Sequence, residues 1–479
     1  MAAISTVIDV SSWLLGCAID TLVAWGNFLW GAPILACLLF ISVLYTVGTR
    51  GFQITHFTHI LKYTFGKQFS RTQGKKVGIS SFKAFCMALC NTLGTGNIAG
   101  VGVAIALGGP GAALWIVLAD ILALIIKYGE IALGVKYHEK DPATGFYRGG
   151  LMWYVEKGLG KQWRWIAVVY AAFYGIAIIN TPAVQVNSMA SAIVTFFPIP
   201  TIVIGAVCAG VMGIVLIGGV TRLSNVAEKI VPIMAMLYFM GTVFVLCKYF
   251  YHIPDTLVLM VQYAFSDAEA IAGGFGGATM IQAARHGFAR GFYSNGAGCG
   301  DAPFAHASAD VSNPAEQAIW GISEVFVDAI VCTCTSLVIL TTGSWQTGLS
   351  GAQLSIKAFA IAFGNEIAAG AFISVIIIFF AFTTAVMCAY FGELCISYLL
   401  KDMKQVRYIY RFIMCCSAMA GSSEFMVIHL NKLWLLGDFN LAIDTLLSVL
   451  VLFLMRKEVF EITREYKEII KREKGKLLT

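Results

Sequence analysis

The chain has 479 residues, 58% of them apolar and 13% charged, with a mean hydropathy of +0.78 and a formal net charge of +6. A soluble domain carries about 25% charged residues, so this composition argues against an ordinary soluble enzyme, and its hydrophobicity excludes a disordered chain. It points to a polytopic membrane protein embedded in a lipid bilayer. The excess of Lys and Arg then reads as loops held at an inner leaflet rather than as a nucleic-acid surface.

The first 49 residues contain no Lys or Arg and include Asp9 and Asp20, so no cleaved signal peptide is expected. Apolar runs predict helices near 32–48, 81–108, 111–135, 165–196, 200–219, 226–247, 268–288, 316–342, 366–399, 408–430 and 434–455, eleven in all. The longer runs must include breaks, tilts or interfacial ends. From Arg456 to Thr479 the pattern predicts a charged, solvated helix. The 13 cysteines form no CxxC pair, so neither a zinc site nor a disulfide framework is expected. With the N-terminus outside, 28 of the 33 Lys and Arg fall on the inner side, which sets the direction of the eleven crossings.

Without the first helix, ten remain, and they divide into five and five. An odd repeat inverts the second half relative to the first. Glycines mark the first helix of each half: Gly94-Thr95-Gly96-Asn97, and Gly273-Gly274-Phe275-Gly276-Gly277. The predicted fold is an all-α membrane protein with one N-terminal helix and a 5+5 inverted-repeat core containing two broken helices. Its segments are 1–80 (first helix and basic loop), 81–250 and 251–455 (the two repeats) and 456–479 (charged cytoplasmic tail).

Unwound backbone inside a membrane must line a cavity or be buried in protein, because lipid satisfies neither N–H nor C=O. A break near the midplane offers carbonyls suited to Na⁺ and a half-helix N-terminus suited to a carboxylate. An amino acid with a coupling cation would use both. The alternative is close helix packing, since Gly96/Gly100 and Gly273/Gly277 are also GxxxG pairs.

Gln185 follows Thr181-Pro182, and the proline frees a carbonyl nearby; Gln185 could bind substrate or act as interhelical glue. Thr383 and Thr384 are adjacent hydroxyls in an apolar run, suited to Na⁺ or to bonding the preceding turn. Asp120, Asp328 and Glu393 are ionisable groups at depth, and Lys127 and Glu130 are expected to pair at i,i+3. No nucleophile–base constellation, Walker loop or metal spacing occurs, so neither an enzyme nor an organic cofactor is expected.

Three stretches carry a family resemblance. They are Asn91-Thr-Leu-Gly-Thr-Gly-Asn-Ile-Ala-Gly through Gly111, Ala289-Arg-Gly-Phe-Tyr-Ser-Asn-Gly-Ala-Gly298 and Ala302-Pro-Phe-Ala-His-Ala307. Here the chain resembles the alanine or glycine:cation symporter family, over about Gly51 to Met455. The resemblance implies the leucine-transporter-like fold and Na⁺-coupled import, sometimes with H⁺, of a small neutral amino acid across a bacterial or archaeal inner membrane.

By the same resemblance, Thr95, Gly96, Asn97, Gln185, Gly273, Gly274 and Phe275 contact substrate. Thr383 and Thr384, with carbonyls around Thr92 to Thr95, hold Na⁺. No obligate protein partner is implied. Cys388 stands where the family commonly has Trp, which implies a wider site. Asn295-Gly296-Ala297-Gly298 lacks a carboxylate that the family often has. The rival readings are proton coupling through Asp120 or Asp328, a transporter-like sensor, and a channel.

Overall fold

The computed structural model describes residues 21–22, 24–26, 28–66, 78–194, 198–265 and 280–476, without the side chains of 424–438 and 474–476. Besides short helices at Phe52–Thr55, Phe57–Leu61 and Leu151–Tyr154, the helices in chain order are α1 Ala32–Gly48, α2 Ser81–Thr92, α3 Ala99–Gly108, α4 Gly111–Lys136, α5 Arg164–Ala177, α6 Thr181–Val194, α7 Thr201–Ile217 and α8 Gly219–Lys248. They continue as α9 Ile253–Phe265, α10 Met280–Asn295, α11 Ala302–His306, α12 Pro314–Thr341, α13 Gly351–Phe363, α14 Glu366–Leu399, α15 Lys404–Ala420 and α16 Glu424–Lys476. The architecture is that of a helical multi-pass membrane protein. A two-residue hairpin, β1 Glu139–Lys140 and β2 Tyr147–Arg148, punctuates the loop after α4.

Among the described residues, five helices are long and apolar enough to cross a membrane. A sixth is the bent pair α2 and Thr95–Gly108, with an angle of 59° at its break. Helix α14 occupies the predicted 366–399 and α1 the predicted 32–48. The run at 165–196 contains α5 and α6, joined by a 3₁₀ turn at Ile178–Asn180 just before Pro182. Proline has no N–H to give the preceding turn, and the Ile179 carbonyl instead accepts from the Ser417 hydroxyl at 2.5 Å.

Several boundaries differ from expectation. Helix α8 starts at Gly219, not near 226, because Gly219 (φ +61) turns the chain sharply out of α7. The apolar stretch Leu257–Phe265 lies in a helix of its own, α9, which the sequence reading omitted. Helix α10 runs on to Asn295 rather than ending near 288. Its Gly287 and Gly291 lie against Ala112, Trp115, Ile116 and Ala119 of α4, where a Cβ would collide.

The break expected between 430 and 434 lies instead at Gly421–Ser423. There the Ser422 and Ser423 hydroxyls take the carbonyls of Met419 and Ala420 at the end of α15. Helix α16 then continues into the basic tail. That tail is not simply solvated: Met455, Val459, Ile462, Tyr466 and Ile470 are buried. Their i, i+3/i+4 spacing forms one stripe, docked on α1 and α4 through Tyr45 Oη to the Leu452 carbonyl (2.9 Å) and Thr463 to Tyr128 (3.1 Å).

Candidate functional site

The site begins with the interruption between α2 and α3. Leu93 and Gly94 are extended, and Thr95–Asn97 form a single 3₁₀ turn. The end of one helix and the start of the next each leave backbone groups without intrahelical partners. Side chains supply many of them. The Gly94 N–H donates to Asn97 Oδ1 (2.9 Å), the Thr335 hydroxyl to the Asn97 carbonyl (2.9 Å) and the Ser355 hydroxyl to the Ile98 carbonyl (3.0 Å). The Thr384 hydroxyl donates to the Cys90 carbonyl at 3.0 Å. The approach at Gly94 is close, since a Cβ there would stand 3.1 Å from Thr384 Oγ1.

Beside the break lies a cavity of about 160 Å³, lined in part by Thr92, Gly94, Thr95, Gly96, Gln185 and Thr384. Tyr174, Tyr293 and Cys388 add to its wall, and the Cys388 thiol donates to Asn91 Oδ1 at 3.3 Å. The Thr95 hydroxyl donates to Gln185 Oε1 at 3.4 Å across the cavity. Thr95, Gly96 and Tyr293 also line a second, larger cavity of about 830 Å³ that includes Arg290, Asn187 and Gln353. The broken segment thus lies between two cavities.

Other expected site residues are placed differently. Asn97 is fully buried and does not line the smaller cavity; its amide bonds Gly94 and Asp328, so it shapes the break. The Thr383 hydroxyl returns to the Phe379 and Phe380 carbonyls (2.9 and 3.1 Å) and touches Met234 of α8. Thr384 also bonds back, to the Phe380 carbonyl at 2.9 Å, but it faces the break. The Thr92 hydroxyl donates to Glu324. Gly273, Gly274 and Phe275 lie outside the described residues.

Lys127 and Glu130 do not pair directly. Lys127 lies 3.2 Å from Glu324 and donates to the Asn295 carbonyl at 2.7 Å, while Glu130 accepts from the Gly300 N–H at 2.8 Å. Glu324 is further held by His306 Nε2 at 2.9 Å, and His306 Nδ1 takes Gln317 at 2.8 Å. Asp120 accepts from Asn295 Nδ2 (3.0 Å), Asp328 from Asn97 and Ser294, and Glu393 is held by Arg411. A buried charge is stable only when paired and hydrogen-bonded, and this network ties α2, α4, α10 and α12 together around the cavity.

Two acidic cavity residues escaped the sequence reading. The loop Gly296–Gly300 turns through three left-handed glycines, Gly296, Gly298 and Gly300 (φ +64, +90 and +77), a conformation costly for other residues. It delivers Asp301 to the cavity wall, where Asp301 Oδ2 accepts from Asn91 at 2.9 Å. Asp444 reaches the same wall from α16. Asp444 could have been noticed as an acidic residue within the apolar run Leu441–Met455. The position of Asp301 depends on the loop and has no comparable signal.

A sequence model of the sodium:alanine symporter family matches residues 17–478. The chain belongs to that family. It is a secondary transporter of the symporter type, not an enzyme. A transporter of Haemophilus influenzae is 36% identical over 453 residues, covering 93% of this chain and 95% of the relative. The sodium/alanine symporter AgcS of Methanococcus maripaludis is 33% identical, covering 93% of this chain and 97% of its own. A solved Na⁺-coupled sialic acid symporter shares the fold, with a TM-score of 0.52 at 10% identity over 86% of this chain and 82% of its own. The symporter therefore combines a family-wide sequence with a fold that it shares with a distant sialic acid symporter.

Proposed function

We propose that the symporter imports a small neutral amino acid, alanine or glycine, together with Na⁺ by alternating access. The carrying observation is the cavity at the interrupted α2–α3 helix, a largely apolar space with the hydroxyls of Thr95 and Thr384 and the amide of Gln185 in its wall, where the end of one helix meets the start of the next. A cavity of about 160 Å³ is near the size of an engineered cavity of about 150 Å³ that binds benzene, and alanine has as many heavy atoms. The substrate carboxylate meets the N-terminal end of α3 beside Thr95 and Gly96, where the helix dipole is positive. Gln185 takes the amino group, with Gly273, Gly274 and Phe275 as the further substrate contacts that the family resemblance implies.

Na⁺ sits between the end of α2 and α14, on Thr384 and carbonyls from Thr92 to Thr95, with Thr383 behind. Asn97 positions the break. Cation binding favours the outward-open arrangement and thereby raises substrate affinity, a coupling that is reciprocal. Sodium is favoured over proton coupling through Asp120 or Asp328, because both are engaged by amide or hydroxyl groups and neither lines the cavity.

The same reading has eleven crossings, a first helix followed by inverted repeats at 81–250 and 251–455, and a cytoplasmic tail from 456. The N-terminus lies outside and the C-terminus inside an inner membrane, as the 28 inner Lys and Arg favour. Proteoliposome uptake tests the function. Labelled alanine should accumulate against its gradient with Na⁺ outside and fall to background when choline replaces Na⁺. Uptake unaffected by choline rejects Na⁺ coupling.

A further inference from the structure

The acidic part of the cavity has no role in the reading above. Asp301 and Asp444 both line it, at 6% and 1% exposure. In each, the Oδ1 atom is buried without a hydrogen-bond partner. A buried carboxylate oxygen without a donor is costly unless something positive meets it.

Lys127 answers this only in part. Its Nζ lies 3.9 Å from Asp301 Oδ1, beyond hydrogen-bond reach, and 3.2 Å from Glu324. Glu130, Glu324 and Asp301 are buried around this one lysine, and Asp444 is buried on the same cavity wall as Asp301. Both aspartate side chains line the cavity, and their Oδ1 atoms lie buried in its wall with no hydrogen-bond donor, so the wall has room for further positive charge.

We propose that Asp301 and Asp444 form a second monovalent-cation site in the transport cavity, so that two Na⁺ accompany each substrate. The proposal rests on the reading of this cavity as the transport site. Hard cations take oxygen ligands, and carboxylate and amide oxygens are what this wall offers. Among the described residues no group of three His, Cys, Asp or Glu side chains is set to hold a metal ion, which disfavours a resident transition metal.

A substrate ammonium is the other positive group to weigh. The cavity volume, about 160 Å³, matches alanine and leaves little space for the long side chain of a dibasic amino acid. The site is also distinct from the one at Thr384. Asp301 is held by Asn91, and Asn91 accepts from Cys388, one turn of α14 beyond Thr384. One helical turn is about 5.4 Å. The two ions would thus be neighbours, with carboxylate charge at one site and neutral oxygens at the other.

Equilibrium binding of ²²Na⁺ to the purified full chain, without substrate, tests this. The native protein should bind two Na⁺, and Asp444→Asn should bind one, with affinity at the lost site down at least about tenfold. Asp444→Glu should restore the second. The Na⁺ kept by Asp444→Asn should disappear on adding Thr384→Ala, and its presence beforehand shows that the variant is folded. A single native Na⁺ that survives Asp444→Asn but not Thr384→Ala overturns this proposal and leaves the Thr384 site standing. A single Na⁺ that needs Asp444 but not Thr384 also overturns the two-ion proposal, and moves the one coupling ion to the acidic wall. Native-level Na⁺ binding in Asp444→Asn, with binding of labelled ornithine lost, assigns the carboxylates to a substrate ammonium and also overturns it.

Discussion

Thr383 and Thr384 are adjacent yet face different surroundings. A helix turns about 100° per residue, so one hydroxyl meets Met234 and the other the break. Thr384→Ala should raise the Na⁺ concentration for half-maximal uptake by about tenfold, equivalent to about 1.4 kcal/mol, while Thr383→Ala should change it far less. Equal shifts in the two variants, measured as Na⁺ titrations of uptake, would reject this distinction. Thr384, Thr95 and Gln185 were legible because polar side chains stand out in apolar runs. The different directions of Thr383 and Thr384 were not, since periodicity alone does not name the neighbour. Asp301 was hidden for another reason: three left-handed glycines, not a helical spacing, carry it to the cavity.

At the scale of elements, the interruption after Thr92 was legible because Gly94, Gly96 and Asn97 together weaken a helix. What holds the broken ends was not, because Thr335, Ser355 and Thr384 arrive from helices far along the chain. Helix α3 is also pinned by contact with the start of α13. A Cβ on Gly102 would stand 2.4 Å from the Gly351 carbonyl oxygen, and backbone cannot easily yield. Gly102→Ala should therefore lower thermal stability, by about 1–3 kcal/mol as overpacking does. An unchanged or raised Tm would show that the contact relaxes freely. The misplaced break near 430 has a similar lesson. Gly421 is followed by two serines whose hydroxyls end α15, a local signal overlooked beside the stronger apolar pattern.

Across the whole molecule, charge position gave a provisional direction to the crossings, but charged residues also join distant segments. Arg407 binds both carboxylate oxygens of Asp141 (2.7 and 3.0 Å), and Arg148 binds both of Asp402 (2.5 and 2.8 Å). This clamp joins the hairpin after α4 to the turn before α15. Burial raises the Asp141 pKa, but hydrogen bonds from Arg407 and the Ala143 N–H, with the charges of Arg407 and Arg148, outweigh it and hold the carboxyl below its usual value. A depressed carboxyl contributes stability above its unfolded pKa of about 3.9 and loses it as pH falls through the lower native value. Arg407→Ala should therefore lower Tm at pH 7, and its difference from the native protein should shrink below about pH 4. A difference constant from pH 7 to pH 3, read by thermal unfolding in detergent, would exclude this linkage. The tail shows the same limit of composition: its charges predicted solvation, yet its apolar stripe docks on α1 and α4.

The central claim is that substrate and Na⁺ meet at the interrupted helix. Alanine binding to the purified symporter, titrated in Na⁺ and in K⁺ at equal ionic strength, tests it most directly. The account predicts that Na⁺ tightens alanine binding by at least about tenfold and that alanine tightens Na⁺ binding by the same factor. Equal alanine affinity in Na⁺ and K⁺ would contradict it.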